Sequence, residues 1–381
     1  MQNCITFLLI CATLGTVAAA PRDFFVYFGT YSKNRSHGIY RARFDAATGR
    51  LGAAELAIEA KDASFLALHP NRKILYAVDE SSDPQRTPNT GVSAYAIAAK
   101  TGALTLLNQQ TVGGAGPCHV NVDREGLCVF VANYGSGSIE SIALESDGRL
   151  GAVGTSIQHA GSSVNPARQS GPHAHSIYAA PGNRFVLAAD LGLDRVFVYR
   201  LDSAAAKLTA NDPAFAALPP GSGPRHLAFH PNGKFVYVIN EMLCTVAVFG
   251  YDAARGALTE LQTISTLSPG QRVEAGVSTA EIAVHPSGRF LYGSNRGQNS
   301  IAVFALDPAT GRLALLETHS TRGSTPRHFA LDPTGAWLLA ENQDSGDVAI
   351  FRIDGATGRL TASGGMVAVP TPVCAVFVPA P

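Results

Sequence analysis

Short apolar runs separated by turn residues recur along the whole chain, and they predict β-strands rather than helices. Residues 223 to 241, GPRHLAFHPNGKFVYVINE, are typical: two apolar runs flank the turn sequence HPNG. Gly, Pro, Asn and Asp interrupt the other runs in the same way, and no segment keeps the 3.6-residue period of a helix. The pattern therefore predicts an all-β protein built from hairpins.

One turn-and-strand signature occurs seven times, and the copies lie about 50 residues apart. The seven copies read DAATGRL, AAKTGAL, ESDGRL, DSAAAKL, DAARGAL, DPATGRL and DGATGRL, and end at Leu51, Leu104, Leu150, Leu208, Leu258, Leu313 and Leu360. A hairpin signature such as VHPSGRFLYGSNR lies between successive copies. Four short strands in a repeat of this length are typical of a β-propeller blade.

The two ends of the repeat array are incomplete in a complementary way. FFVYFGTY (24–31) matches the second strand of a hairpin with no first strand before it, and TPVCAVFVP (371–379) matches a first strand with no second strand after it. Pairing these two strands would close the ring and remove two exposed sheet edges. We therefore expect residues 24–379 to form one seven-bladed β-propeller domain with four-stranded antiparallel blades.

The positions that flank each hairpin are polar and differ from blade to blade, whereas the opposite turn recurs as H-P-x-G or D-P-x-G in HPNG, HPSG and DPTG. In a propeller, the residues before the first strand and after the second strand lie on the same face, so this face is predicted to be functional. The candidate catalytic residues are Glu241, His175, Arg225 and Arg296. The candidate substrate-binding residues are His173, His226, Arg327, His328 and His119.

Residues that recur in kind are assigned structural roles instead. His69, His230 and His285 each precede the turn proline, and we expect them to stabilise that turn. A second recurring set is expected to cap the end of the second strand: Asp79, Asn133, Asp190, Asn240, Asn295 and Asn342. For the column that contains His119, His226 and His328, a shared hydrogen-bonding role is the alternative to a role in the reaction.

Five sequence blocks, GPHAHS, GPRHLAFHPNGKFVYVINE, STAEIAVHPSGRFLYGSNRG, TPRHF and TPVCAVF, resemble the lactonase family of seven-bladed propellers. That family includes propeller-type 6-phosphogluconolactonases and fungal 3-carboxy-cis,cis-muconate lactonizing enzymes. The likeness extends from Phe24 to Pro379. It implies an active site formed by His175, Arg225, Glu241 and Arg296, with His173 near His175.

The resemblance implies a metal-independent lactonase that hydrolyses a sugar lactone, with 6-phospho-D-glucono-1,5-lactone as the leading substrate. Glu241 would activate water as the base, His175 would be the acid or its partner, and the arginines would hold the oxyanion or an anionic group. A carboxymuconate-type cycloisomerase ranks second, because its substrate demands more positive charge than the sequence offers. A non-catalytic exported binding module is the third alternative. No cofactor is expected. The active face has no cluster of carboxylates that would predict a metal site.

The N-terminus, MQNCITFLLICATLGTVAAAPRD, has the short apolar core and small residues of a secretory signal peptide, with cleavage after Ala19. Residues 1–19 thus predict a periplasmic or secreted protein, which would be cytoplasmic if the leader does not function. Beyond the leader remain Cys118, Cys128, Cys244 and Cys374. Cys118 and Cys128 could pair as a disulfide, or all four cysteines could be separate buried thiols.

The 29 basic and 29 acidic side chains balance, so no electrostatic argument favours a nucleic-acid partner. No stretch beyond the leader is apolar and long enough to span a membrane. The expected partner is a small lactone, and the sequence leaves the oligomeric state open.

Overall fold

The computed structural model describes residues 23–32, 36–80 and 91–381, which form seven antiparallel β-sheets. The predicted leader, residues 1–19, lies outside the described residues. Within the described part of the chain, no helix has the length and apolar character needed to cross a membrane.

The first three blades contain strands β1 to β12. Blade 1 begins with β1 (Asp23–Thr30), β2 (Gly38–Asp45), β3 (Arg50–Leu51) and β4 (Glu55–Glu59). Blade 2 contains β5 (Leu66–Leu68), β6 (Ile74–Val78), β7 (Val92–Ile97) and β8 (Leu104–Gln110). Blade 3 contains β9 (Pro117–Val122), β10 (Cys128–Asn133), β11 (Ser138–Leu144) and β12 (Leu150–Gln158).

The remaining strands form blades 4 to 7 and complete blade 1. Blade 4 contains β13 (Ala174–Ala179), β14 (Phe185–Asp190), β15 (Arg195–Asp202) and β16 (Lys207–Ala217). Blade 5 contains β17 (Pro224–Phe229), β18 (Phe235–Asn240), β19 (Thr245–Asp252) and β20 (Ala257–Ser265). Blade 6 contains β21 (Ser278–Val284), β22 (Phe290–Arg296), β23 (Ser300–Leu306) and β24 (Leu313–Ser320). Blade 7 contains β25 (Pro326–Leu331), β26 (Trp337–Asn342), β27 (Asp347–Ile353) and β28 (Leu360–Ala368), and β29 (Pro372–Pro379) returns to blade 1.

The C-terminal strand closes the ring. β29 pairs with β1 in antiparallel register from Phe24↔Pro379 to Gly29↔Cys374, and it is the innermost strand of blade 1. Each innermost strand packs against the next, and β29 packs against both β25 and β5. The predicted seven-bladed propeller and its closure by the terminal strands are confirmed. Blade 1 departs from the four-stranded pattern only because its outer strand is divided into β3 and β4, which both pair with β2.

Recurring polar residues join neighbouring blades. The buried hydroxyls of Tyr27, Tyr76, Tyr237 and Tyr292 donate hydrogen bonds to glycine carbonyls of the following blade. The turn histidines act similarly: Nε2 of His69, His230 and His285 bonds the carbonyl oxygen of Gly126, Gly288 and Gly335, respectively. These bonds confirm the structural role predicted for the turn histidines.

The asparagines that end the second strands hold the turns to the third strands. The side-chain amides of Asn133, Asn240, Asn295 and Asn342 each donate to the side chain five residues later. The predicted strand-capping role is confirmed for these four asparagines. The cysteines at 118, 128, 244 and 374 are free and buried, as in the alternative of separate thiols.

Candidate active site

A β-bulge at the start of the innermost strand redirects those candidate residues that lie on innermost strands, as Arg225 shows. In blade 5, Pro224 pairs with Asn240 and His226 pairs with Ile239, so Arg225 is an extra residue without a partner. A bulge of this kind bends the strand and redirects the side chain of the extra residue. Arg225 and His226 therefore both face the channel, although strict alternation would send them to opposite sides.

The same irregularity occurs at this position in six of the seven blades. The residues that it leaves unpaired include Cys118, His175, Arg225, Ala280, Arg327 and Val373. These residues are among the positions that flank the hairpins and differ from blade to blade. A bulged residue has no partner in the ladder, so its side chain need not match a neighbour across the strands.

Glu241 is held by three arginines at the centre of the site. Its Oε1 accepts a hydrogen bond from Nη2 of Arg168 at 2.7 Å, and its Oε2 lies 2.9 Å from Nη2 of Arg296 and 3.2 Å from Nε of Arg225. The Glu241 side chain is 6% exposed. Burial alone would raise the pKa of Glu241, but Arg296, Arg225 and Arg168 outweigh burial and lower it to about 2. Glu241 is therefore a carboxylate throughout the physiological range.

Arg168 is the site residue that the sequence analysis missed. It lies between β12 and β13, in a segment without strands, and also bonds the Tyr134 hydroxyl at 3.1 Å. His159, which bonds Asp190 at 2.6 Å, and Gln169, which donates to the Leu191 carbonyl at 2.8 Å, anchor this segment to blade 4. The available signal was the wide interval between Leu150 and Leu208, which indicates an insertion there.

Arg327 completes a group of four guanidiniums, here called the guanidinium cluster: Arg168, Arg225, Arg296 and Arg327. Arg327 donates to the Tyr31 hydroxyl at 2.7 Å, and Tyr31 in turn donates to Glu80 at 2.9 Å. Burial, then the charges of Arg327 and Arg296, lower the pKa of Arg225 to about 10. The mutual repulsion of these cations, opposed by Glu241 and Glu80, makes the cluster receptive to a further anion.

His175 and His173 flank Tyr134 at the edge of the cluster. His175 is buried, and its Nδ1 lies 4.0 Å from the Cys118 sulfur. Burial, followed by the charge of Arg225, lowers the pKa of His175 well below its ordinary value, so this imidazole is neutral. His173 stacks on Tyr134 with ring centroids 4.5 Å apart and donates to the Tyr134 carbonyl at 2.9 Å. His173 thus contacts Tyr134, whose hydroxyl accepts a hydrogen bond from Arg168, and does not contact Glu241 itself.

His119, His226 and His328 lie one residue further along the innermost strands and form a buried layer around Phe65. His226 and His328 pair with buried carboxylates, while Nε2 of His119 has no hydrogen-bond partner. The chain thus brings the predicted catalytic residues Arg225, Glu241 and Arg296 into direct contact, and adds a second layer of imidazoles that make hydrogen bonds of their own.

Among the described residues, no group of three or more His, Cys, Asp or Glu side chains is arranged to hold a metal ion.

Comparison with known proteins identifies the family. A family model described as a lactonase with a 7-bladed beta-propeller matches residues 25–377. The 6-phosphogluconolactonase of Bacillus subtilis (strain 168) is 38% identical over 351 residues, which cover 92% of this chain and 97% of that protein. The 6-phosphogluconolactonase of Formosa agariphila is 33% identical over 308 residues, or 80% of this chain and 85% of that protein. Among solved structures, the periplasmic gluconolactonase of Pseudomonas aeruginosa has a TM-score of 0.88 and 34% identity, covering 94% of this chain and 100% of that one. The chain therefore belongs to the lactonase family of seven-bladed β-propellers.

Proposed function

We propose that this protein is a lactonase that hydrolyses 6-phospho-D-glucono-1,5-lactone to 6-phosphogluconate without a metal ion. The observation that carries the proposal is the guanidinium cluster: in the part of the chain that the structure describes, four arginines surround the carboxylates of Glu241 and Glu80 on one side of the ring. Guanidinium binds phosphate and carboxylate oxygens through paired N–H donors, and the surplus of positive charge favours a dianionic substrate. The two curated 6-phosphogluconolactonases of similar sequence support the same substrate.

The reaction requires a base, stabilisation of the oxyanion and a proton for the leaving group. Water attacks the carbonyl carbon of the lactone, the bond from that carbon to the ring oxygen breaks, and the ring oxygen takes a proton. In our proposal, Glu241 accepts the proton of the attacking water, and Arg225 stabilises the oxyanion. His175 is neutral and carries one N–H, so in our proposal it donates a hydrogen bond to the leaving ring oxygen, and that oxygen takes the proton that Glu241 accepted from the water.

The low pKa of Glu241 makes it a weak base while three guanidiniums surround it. We propose that substrate binding raises the pKa of Glu241. A phosphate that bonds Arg168 and Arg296 brings two negative charges close to Glu241 and competes for the donors that hold it. Both effects raise the pKa of the carboxylate, so that Glu241 becomes an effective base only when the anionic substrate is bound.

A comparison of phosphorylated and plain gluconolactone tests the substrate, with product formation corrected for spontaneous hydrolysis. We expect kcat/KM to be higher for the phosphorylated lactone. Arg296→Lys keeps the charge but loses the planar pair of donors, so it should weaken turnover of the phosphorylated lactone more than that of the plain lactone. Arg296→Ala is the matched full truncation. Equal losses on both substrates would assign Arg296 to the reacting carbonyl and remove the argument for a phosphorylated substrate.

Metal independence has a separate test. We expect prolonged dialysis against EDTA to leave kcat/KM unchanged, because the proposed base and oxyanion contacts come from side chains alone. Loss of activity that returns on addition of a divalent cation would contradict this.

The guanidinium cluster also keeps the cycloisomerase alternative open, because Arg168 adds the positive charge that the sequence analysis did not find. A tricarboxylate suits four guanidiniums as well as a phosphate does. An assay that follows the loss of muconate absorbance separates the two activities. Turnover of the muconate without hydrolysis of either lactone would favour the cycloisomerase, and turnover of neither class would favour a non-catalytic binding protein.

We further propose that residues 1–19 direct export to the periplasm, in agreement with the periplasmic location of the similar Pseudomonas gluconolactonase. Mass spectrometry of the protein from separated cell fractions tests this. A periplasmic protein that begins after Ala19 would support export, whereas an intact N-terminus in the cytoplasmic fraction would contradict it. The result also bears on the substrate, because phosphorylated sugars are scarce outside the cytoplasm.

A further inference from the structure

A row of buried acids and imidazoles runs across the channel beneath the guanidinium cluster, and the reaction described above does not use it. Glu281 bonds Nδ1 of His226 through Oε2 at 2.8 Å, and the same oxygen lies 3.4 Å from Nε2 of His328. Nδ1 of His328 bonds Oε2 of Glu341 at 2.8 Å. Glu281 and Glu341 are 6% and 0% exposed. None of the residues that correspond to Glu281 in the other blades is a glutamate, so the repeat itself does not require a glutamate at this position.

The contacts around His226 determine which of its nitrogens carries the proton. Nη1 of Arg225 lies 3.3 Å from Nε2 of His226 and donates to the Ala280 carbonyl at 2.7 Å. Because a guanidinium can only donate, Nε2 of His226 must be the acceptor. Burial, and then the charge of Arg225, lower the pKa of His226 well below its ordinary value, so the ring is neutral. Its single proton is therefore on Nδ1 and is donated to Glu281.

The two oxygens of Glu281 both serve as acceptors. Oε1 accepts the backbone N–H of Ile282 at 2.9 Å, and Oε2 accepts from His226. Burial raises the pKa of Glu281, while the charge of Arg225 and the hydrogen bond from the Ile282 N–H oppose the rise. Because donors face both oxygens, the hydrogen-bond geometry favours the carboxylate form of Glu281 against the effect of burial.

Glu341 is in the opposite state. Burial, and then the charge of Glu281, raise its pKa well above the ordinary value, and its Oε1 has no hydrogen-bond partner. A protonated Glu341 donates to Nδ1 of His328, which leaves the His328 proton on Nε2, facing Glu281. All the hydrogen bonds in the row then point toward Glu281.

We propose that Glu281 is a positioning residue that acts on Arg225 through His226. By accepting the Nδ1 proton, the carboxylate leaves the lone pair of His226 Nε2 facing the guanidinium, and this acceptor, together with the Ala280 carbonyl, fixes the orientation of Arg225 beside Glu241. The inference rests on the proposed function only for its effect on turnover.

Matched glutamine substitutions test the direction of the hydrogen bonds. In Glu281→Gln, either orientation of the amide turns its NH₂ toward an existing donor: the Ile282 N–H, or the imidazole protons of His226 and His328. If the amide faces His226, the proton of that ring moves to Nε2 and opposes Arg225. In Glu341→Gln, the amide NH₂ donates to Nδ1 of His328 just as the protonated acid does. Replacement of glutamate by glutamine should therefore disturb the hydrogen bonds at Glu281 and be tolerated at Glu341.

The first measurement is ¹⁵N NMR of protein labelled at histidine, with the His226 resonances assigned by their loss in His226→Gln. In the unmutated protein we expect the Nδ1–H tautomer of His226, and Glu341→Gln should preserve it. An Nε2–H tautomer or a charged ring in the unmutated protein would overturn the inference. This measurement needs no substrate and does not depend on the folding of any Glu281 variant.

The second measurement is lactone hydrolysis. Misplacement of a group that contacts the reacting atoms can reduce turnover by about 10²-fold, and we expect a loss of roughly 10- to 100-fold in kcat/KM for Glu281→Gln, with Glu341→Gln within about 3-fold of the unmutated protein. In an Arg225→Lys background, Glu281→Gln should cost much less, because its target has been removed. Equal losses in the two backgrounds would overturn the inference. Absence of lactone hydrolysis by the unmutated protein would overturn the proposed function, while the tautomer measurement would still decide the position of Glu281.

Discussion

Replacing Glu241 by glutamine tests the central electrostatic argument, because it removes one charge and leaves the shape of the side chain almost unchanged. A pKa lowered from the ordinary 4.5 to about 2 corresponds to about 3 kcal/mol of stabilisation of the ionised, folded protein. Loss of one partner from a buried ion pair typically costs about 3–5 kcal/mol, because the remaining charges stay buried without compensation. We therefore expect Glu241→Gln to lower the free energy of unfolding by about 3 kcal/mol at neutral pH.

The pH dependence provides the sharper test. Since the folded pKa of Glu241 is depressed, its contribution is complete above the unfolded value of about 4.5 and is lost as the pH falls toward about 2. The stability difference between the two proteins should thus narrow below about pH 5. Urea unfolding is the appropriate assay because urea does not screen charges, and the fluorescence of Trp337, the single tryptophan, reports it. Trp337 donates to the Ala46 carbonyl across the ring closure.

Glu140→Gln is the matched control. Glu140 is also buried, but burial raises its pKa, and its partners are the Gly114 backbone N–H and Asn133 rather than an arginine. Acid favours its neutral form, so the difference between the unmutated protein and Glu140→Gln should not narrow as the pH falls. If Glu241→Gln is as stable as the unmutated protein, or if its deficit is independent of pH, the three arginines do not depend on the charge of Glu241 and the reasoning fails.

Two further predictions concern the loop arginine and the ring closure. Arg168→Ala should raise KM for the phosphorylated lactone by about 10-fold, as steady-state kinetics would show. The free energy of unfolding should change by less than about 1 kcal/mol in urea, because this side chain is 42% exposed. An unchanged KM would remove Arg168 from the site. Removal of residues 372–381 should unfold the ring, since burial of Val373 and Val378 alone contributes roughly 3–6 kcal/mol, and a cooperative transition of normal Tm in the truncated protein would contradict this.

The fold could be predicted almost completely because it is written as a repeat. Seven copies of a local pattern leave few topologies open, and the unpaired apolar segments at the two ends determined how the ring closes. The division of the outer strand of blade 1 into β3 and β4 was not predicted, because it is a break within one copy rather than a feature that recurs.

The candidate site could be selected from the sequence only where it follows the repeat. Arg225, Glu241 and Arg296 occupy blade positions, so alignment of the blades identified them before the structure did. Arg168 has no counterpart in the other blades, and no alignment column could select it. The protonation states of Glu281 and Glu341 could not be predicted from the sequence either, because they depend on which donors surround each oxygen and not on the type of residue.

The bulge in blade 6 links the regular fold to the candidate site, because it frees backbone groups as well as side chains from the ladder. β21 pairs with β22 at Thr279↔Asn295 and resumes at Ile282↔Gly293, so the ladder is interrupted between them. The carbonyl oxygens of Thr279 and Ala280 accept hydrogen bonds from Arg296 and Arg225, both at 2.7 Å. These are two of the three arginines that hold Glu241. A bulge leaves backbone groups without ladder partners, and here two such carbonyls accept from one Nη atom each of two buried guanidiniums, which would otherwise lack these partners. The irregular start of an innermost strand therefore supplies His175, Arg225 and Arg327 in blades 4, 5 and 7. In blade 6 it supplies the carbonyl acceptors that orient Arg225 and Arg296. The ends of the second strands supply Glu241 and Arg296, so the candidate site combines one repeated interruption with the edge of the regular sheet.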